Sequence, residues 1–191
     1  MRTALHTLAC AAAVLVGVAP PGNAQIGVGA GVIYLSPTGV DFRGTDAGPG
    51  LDGQLRFSAG SHLSFGLGAQ WSRHDAPSLT SHFTVLAIFA EPRFAIPVSP
   101  SAVQPYVAAR VGYARERIVA GGTTYHADGR FFGAGGGLLF RVGRAAHIDL
   151  SLLFGPVHFG DFNSAGGSLT GSRRDGSAFL IRGGVVVGRA T

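Results

Sequence analysis

The sequence predicts an all-β protein, an eight-stranded antiparallel up-and-down transmembrane β-barrel, and three observations support that fold class. First, segments of about ten residues, the length of a tilted bilayer-crossing strand, alternate apolar with small or polar side chains. Second, an export signal precedes these segments. Third, the mean hydropathy is +0.31 although the chain contains 31 glycines. An apolar outer face and a glycine-rich inner face would combine these two properties.

Residues 1–24 are predicted to be a cleaved secretory signal peptide, and residues 25–191 the barrel domain. Met1-Arg2 is a short basic start, Leu8–Val18 is apolar, and Gly22-Asn23-Ala24 supplies small residues for cleavage. The apolar run is too short to cross a membrane as a helix. Cleavage would remove the single cysteine, so the mature chain is expected to form no disulfide.

The strands are located by apolar residues at every second position. The third segment shows the pattern best, because Phe65, Leu67 and Trp71 share one face while glycines, serines and a glutamine occupy the other. The first and last segments show the same alternation, with Ile26 on the apolar face of the first and Val187 on that of the last. The eight predicted strands, in chain order, are Gln25–Leu35, Gly50–Ser58, His62–Arg73, His82–Ala95, Pro105–Ala114, Arg130–Arg141, His147–Phe154 and Ala178–Arg189.

The connections between these strands alternate in length. The shorter turns are Ala59–Ser61, Ile96–Gln104 and Val142–Ala146. The longer loops are Ser36–Pro49, His74–Ser81, Arg115–Gly129 and Gly155–Ser177. Short turns at one end and long loops at the other are typical of outer-membrane barrels, with the turns periplasmic and the loops outside the cell.

Three stretches resemble the small outer-membrane β-barrel family, the eight-stranded group that includes the OmpA membrane domain and OmpX-like proteins. They are Ala90–Phe94, Pro105–Tyr113 and the glycine run Gly133–Gly137. The resemblance covers essentially the whole mature chain. It implies a monomer in the bacterial outer membrane, in contact with lipid and lipopolysaccharide and inserted by the barrel-assembly machinery. One departure is the end of the chain, Val187–Thr191, which lacks the terminal aromatic residue of such barrels.

The inward face is predicted to carry a structural network of ion pairs. The interior of an eight-stranded barrel is just wide enough for side chains to fill it, and charges in so narrow a space must be paired. Glu91 and Arg110 fall at the same height above the Ile96–Gln104 turn, so we expect them to interact. The predicted network comprises Asp52, Arg56, Glu91, Arg93, Arg110, Asp149 and Arg182, with Gln54 and Gln70 on the same face.

Aromatic residues near the loop ends of the strands are predicted to form a girdle at the membrane interface. They are Tyr34, Trp71, Phe83, Tyr113 and Phe154. No cofactor, metal or catalytic site is expected, because the glycine runs precede no amphipathic helix and the loop histidines match no metal motif. The net charge of +5 comes from arginines spread singly along the chain, which argues against nucleic-acid binding.

These features predict a non-enzymatic protein with a structural or surface-interaction role through the loops Ser36–Pro49, Arg115–Gly129 and Gly155–Ser177. Two alternatives remain open. A lipid-modifying enzyme of the lipid A deacylase or acyltransferase type would need a Ser/His pair at the rim, and loss of activity in His74→Ala would reveal it. A narrow channel for small or apolar solutes would conduct. The rival fold, a soluble lipocalin-like barrel, would expose the glycine-rich face to water, where glycine weakens strands.

Overall fold

The computed structural model describes residues 25–76, 81–98, 102–120, 122–164 and 166–188, which form a closed antiparallel barrel. Each long strand pairs with its neighbour, and the first pairs with the last to close the ring. The predicted fold class is therefore confirmed. The strands of the barrel are β1 (Gln25–Thr38), β2 (Gly48–Ala59), β3 (Leu63–Ala76), β4 (Ser81–Ala95), β5 (Val103–Ala120), β6 (Thr123–Arg141), β7 (Ala146–Phe159) and β10 (Arg174–Gly188). A small hairpin, β8 (Phe162–Ser164) and β9 (Gly167–Leu169), and a 3₁₀ helix at Val40–Phe42 complete the described structure.

Side chains alternate between the two faces of the wall, and around the middle of the barrel the apolar ones point outward. Val32 is 62% exposed and Leu51 58%, whereas Arg182 inside is 1% exposed. We call the exposed apolar outer surface the apolar belt; among its members are Val32, Leu51, Leu86, Leu150 and Val185. A soluble barrel would have the opposite arrangement, so the lipocalin-like alternative is wrong. Among the described residues, no helix has the length and apolar character needed to span a membrane.

We call the end that carries the short turns the turn end, and the opposite end the loop end. The strands extend further at the loop end than predicted. The predicted loop Arg115–Gly129 is wrong, because β5 and β6 continue as a paired hairpin to Ala120 and Thr123. The predicted loop Gly155–Ser177 likewise contains the end of β7, the β8–β9 hairpin and the start of β10. The sequence did not reveal these strand ends because, beyond the apolar belt, outer-face residues such as Arg117 are polar. The pattern of apolar residues outside and polar residues inside therefore stops before the strands do.

Other sequence predictions fall on residues that the structure does not describe. The signal peptide at 1–24 and the last three residues of the chain, 189–191, lie outside the described residues. Parts of the predicted connections at 77–80 and 99–101 lie outside them as well.

Two prolines interrupt the ladder of the barrel wall. Proline has no backbone N–H, so it cannot donate to a neighbouring strand. Within the described strands, two residue pairs are missing between β6 and β7 beside Pro156, and two between β4 and β5 beside Pro92. The register on both sides of each interruption is the same, so neither proline introduces a bulge.

Glycine is required where neighbouring backbones approach closely. A Cβ added to Gly50 of β2 would lie 2.1 Å from the carbonyl oxygen of Trp71 on β3. By contrast, a Cβ on Gly53 of the same strand would meet its nearest neighbour at 4.0 Å. Gly50, on the inner face, is therefore needed for strand contact, whereas Gly53, on the outer face, is not.

Candidate functional site

A layer of paired charges crosses the interior in the half of the barrel nearer the turn end. All seven members are between 0% and 6% exposed. We call this set the ion-pair layer: Asp52, Arg56, Glu91, Arg93, Arg110, Asp149 and Arg182. Four arginines face three carboxylates, so the layer has a formal charge of +1.

Glu91 is the centre of one half of the ion-pair layer. Its Oε1 lies 3.0 Å from Arg56 Nη2 and 2.7 Å from Arg93 Nε. Its Oε2 accepts from Arg110 Nε at 2.6 Å, so the predicted Glu91–Arg110 contact is present. One carboxylate thus binds three buried guanidinium groups.

Asp149 and Asp52 hold the other half of the layer. Asp149 Oδ2 lies 2.7 Å from Arg93 Nη1 and 2.5 Å from Arg182 Nη1, and Asp149 Oδ1 accepts from the Tyr106 hydroxyl at 2.6 Å. Arg182 Nε also donates to Asp52 at 2.8 Å. Because Arg93 binds both Glu91 and Asp149, the two halves form one network.

Neutral groups complete the packing of the layer. Gln54 Oε1 accepts from Arg56 Nη2 and Gln70 Oε1 from Arg110 Nη1, each at 2.8 Å. The Arg110 guanidinium also stacks over the Phe89 ring at 3.8 Å from its centroid. The opposing glycines make room for these side chains, since a Cβ on Gly66 would lie 2.8 Å from Gln54 Oε1.

The interior nearer the loop end is mostly apolar, with Ser72, His74 and Glu116 as its buried polar residues among those described. Its buried cluster consists of Phe42, Phe83, Val85, Ala87, Ala114, Ala127, Val157, Phe159 and Phe162. Between this cluster and the ion-pair layer lies a cavity of about 60 Å³. The interior therefore becomes more apolar from the ion-pair layer towards the loop end.

Phe83 does not belong to the outer aromatic girdle, so its predicted position is wrong. Its side chain is 3% exposed and stacks on the His74 ring, with the centroids 4.9 Å apart. Phe83 has the inward parity of Val85, and the prediction followed residue type instead of the alternation of β4. The other predicted girdle residues, Tyr34, Trp71, Tyr113 and Phe154, lie on the outer face.

A Ser/His pair that the sequence analysis missed lies near the loop end. Ser72 Oγ and His74 Nε2 are 2.9 Å apart, and His74 Nδ1 lies 3.1 Å from the carbonyl oxygen of Asp46. The carbonyl can only accept, so Nδ1 donates and Nε2 accepts from the serine hydroxyl. The spacing of Ser72 and His74 on one strand face was the available signal. Both side chains are almost fully buried, and Phe83 covers the imidazole.

The segment 39–47, which we call the mouth segment, folds over the loop end of the barrel and is fastened by Arg174. The Arg174 guanidinium lies 4.3 Å from the centroid of the Phe42 ring and 5.4 Å from that of Phe83. It also donates to the buried carboxylate of Glu116 and, at 3.1 Å, to Thr45 Oγ1. The mouth segment is thus tied to both β5 and β10.

Exposed arginines stand on the outer face just beyond the apolar belt at the loop end. Arg73 of β3 and Arg117 of β5 flank Thr84 of β4 at the same height. Arg130 of β6 lies beside Tyr113. We call Arg73, Arg117 and Arg130 the arginine collar. Among the described residues, no cluster of His, Cys, Asp and Glu is suited to hold a metal ion.

Comparisons with known proteins agree with this architecture. Residues 3–174 match the family model of the outer membrane protein beta-barrel domain. Neisserial surface protein A is similar in structure, with a TM-score of 0.63 and 16% identity over 86% of this chain and 98% of that chain. The outer membrane protein OprG from Pseudomonas aeruginosa has a TM-score of 0.58 and 12% identity, over 88% and 97% of the two chains. The N-terminal β-barrel domain of OprF from the same organism gives 0.52 and 11%, over 87% and 99%. A search of curated proteins finds no match.

Proposed function

Because the chain belongs to the outer membrane protein β-barrel family, we propose that it is a closed, non-conducting barrel of the bacterial outer membrane that acts through its loop-end surface. The observation that carries this proposal is the ion-pair layer. A barrel whose lumen is filled by paired charges passes no hydrated solute, so its function depends on what it displays. Similarity in fold to a Neisserial surface protein is consistent with such a role.

Conduction is disfavoured by the energetics of the layer. A hydrated ion could cross only if buried guanidinium–carboxylate contacts separated, and breaking one such buried pair costs about 3–5 kcal/mol. Glu91 alone binds three arginines, so several contacts would have to open together. Open aqueous channels are built from barrels with more strands.

The arginine collar favours lipopolysaccharide as the partner of the outer surface. With the turns periplasmic, the collar lies at the outer-leaflet interface, where phosphate groups of lipopolysaccharide are found. Guanidinium groups bind phosphate in a bidentate manner, and their neighbours Trp71 and Tyr113 are interfacial aromatics. Monomeric insertion by the barrel-assembly machinery belongs to the same proposal.

Binding of lipopolysaccharide to the refolded protein tests this role. Arg73→Gln combined with Arg117→Gln should weaken binding of lipopolysaccharide micelles, measured by calorimetry, and reduce its salt dependence. The matched control is Arg141→Gln with Arg144→Gln, which removes two exposed arginines at the turn end. Equal binding by both double variants would contradict the proposed collar.

The enzymatic alternative is not supported by the Ser72–His74 geometry. A serine nucleophile activated by histidine has to reach a substrate carbonyl. Ser72 is 0% exposed, and the ring of Phe83 lies against His74. We therefore assign the pair a structural role, which joins β3 to the mouth segment. Acyl-chain release from lipid A that is lost in His74→Ala would overturn this assignment.

A further inference from the structure

We propose that the internal cavity binds a small uncharged hydrocarbon group, which enters from the membrane between β6 and β7 at Pro156. This goes beyond the surface role and is independent of it. The cavity lies between the ion-pair layer and the mouth segment. Phe42 and Phe159, packed edge to face at 6.5 Å, close it towards the loop end.

The lining of the cavity sets the chemistry of its ligand. Its walls include Leu35, Val85, Phe131, Leu153 and Leu180. The polar residues of the lining, Gln70, Arg110 and His74, already bind partners within the protein. A charged ligand, or one with hydrogen-bonding groups, would bury those groups of its own without partners, which costs free energy. An uncharged hydrocarbon has no such groups to bury.

The volume sets the size of the ligand. A cavity of about 60 Å³ is less than half of the roughly 150 Å³ that holds a benzene ring, and at about 30 Å³ for each water-sized group it accommodates about two. That corresponds to a hydrocarbon group of about two carbons. A complete lipid does not fit, so the occupant is a small free molecule or one segment of an acyl chain.

The cavity reaches the outer face of the barrel at one place. Nearly all of its described lining residues point inward. The three that point outward are Phe132, Phe154 and Pro156. Phe132 and Pro156 lie opposite each other where the β6–β7 ladder is interrupted, and Phe154 belongs to the first pair beyond the interruption. We call residues 132–133 and 155–156 the seam.

Pro156 explains why the seam is the weak point of the wall. The carbonyl oxygen of Phe132 lies against the backbone of Gly155, since a Cβ there would be 2.1 Å from it. The next nitrogen along the chain is that of Pro156, which has no proton to donate to that carbonyl. The strands touch at rest, but fewer hydrogen bonds hold them together, so they separate here at lower cost than elsewhere.

The second interrupted ladder shows that proline alone does not make an entrance. Pro92 interrupts the β4–β5 ladder in the same way. Behind it lie Glu91 and Arg110, which belong to the ion-pair layer and contact each other. Pro92 is absent from the lining of the cavity. It therefore supplies a matched control.

Occupancy is tested by nuclear Overhauser contacts in perdeuterated protein with protonated Val and Leu methyl groups, in nanodiscs of deuterated phosphatidylcholine. Ethane, dissolved under pressure, is the probe. It should contact the inward methyl groups of Val85, Leu153 and Val157, and outward Leu150 reports ethane dissolved in the lipid. Gly133→Val should remove the inward contacts only, because a Cβ at Gly133 meets nothing closer than 3.6 Å and projects into the cavity. Absence of inward contacts in the unmodified protein would overturn the proposal.

Two further arms identify the source and the route of the ligand. With protonated acyl chains and no ethane, contacts from chain methylenes to the inward methyl groups would identify the lipid as the source, and the absence of such contacts would identify a free molecule. Pro156→Val should slow ethane exchange about fivefold, the effect of one restored hydrogen bond, whereas Pro92→Val should leave the exchange rate unchanged. Unchanged exchange in Pro156→Val would refute entry at the seam. Retained heat-modifiable mobility on SDS gels would verify that each variant is folded.

Discussion

Replacing Glu91 by glutamine is expected to destabilise the barrel more than any single exposed charge substitution. The side chain is 1% exposed, and its carboxylate binds three arginines. The distances are 3.0 Å to Arg56 Nη2, 2.7 Å to Arg93 Nε and 2.6 Å to Arg110 Nε. Glutamine preserves the shape of the side chain but removes the charge. The formal charge of the layer then rises from +1 to +2 with no solvent to screen it.

The expected loss in the free energy of unfolding is about 3–5 kcal/mol, as for removal of one partner of a buried ion pair. Urea unfolding in lipid vesicles measures it, with the single tryptophan, Trp71 on the outer face, as the fluorescent reporter. The control is Asp128→Asn. Asp128 Oδ1 lies 2.6 Å from Arg115 Nε, a distance similar to those around Glu91. However, the Asp128 side chain is 37% exposed and that of Arg115 42%. An exposed pair contributes about 0–1 kcal/mol, so an equal loss in Glu91→Gln and Asp128→Asn would refute the reasoning.

Three further outcomes are expected. Gly50→Ala should prevent refolding or strongly destabilise the barrel, because its Cβ would overlap a carbonyl oxygen at 2.1 Å, while Gly53→Ala should refold normally; heat-modifiable gel mobility compares them. Phe83→Ala should lower the free energy of unfolding by about 3–5 kcal/mol, as for a buried core aromatic, and a loss below about 1 kcal/mol would indicate that the ring faces lipid. Fluorescence of Trp71 should be quenched more by bromines near the lipid headgroups than by bromines at the chain ends, and the reverse order would contradict its interfacial position.

The barrel and its ion-pair layer could be predicted from the sequence because both depend on local alternation. In β2, Asp52, Gln54 and Arg56 occupy every second position between apolar residues, which fixes a polar inner face. A barrel of eight strands leaves such side chains no solvent, so pairing followed from their burial. The membrane-spanning part of each strand could therefore be predicted from the sequence.

The loop end could not be predicted in the same way, because the polarity of the two faces changes along the strands. Beyond the apolar belt, β5 has Arg115 and Arg117 outside, with Ala114 inside. The alternation persists, but it no longer separates apolar outside from polar inside. The contact of Arg174 with Thr45 joins residues far apart in sequence, and no local pattern reports such a pair.

Single-channel recording in planar lipid bilayers tests the central claim, that paired charges close the lumen, most directly. Protein whose insertion and folding have been verified by heat-modifiable mobility should produce no stable conductance steps above the baseline at neutral pH. Reproducible, voltage-independent steps from the unmodified barrel would contradict a lumen closed by the ion-pair layer, and with it the proposal that the protein acts through its surface.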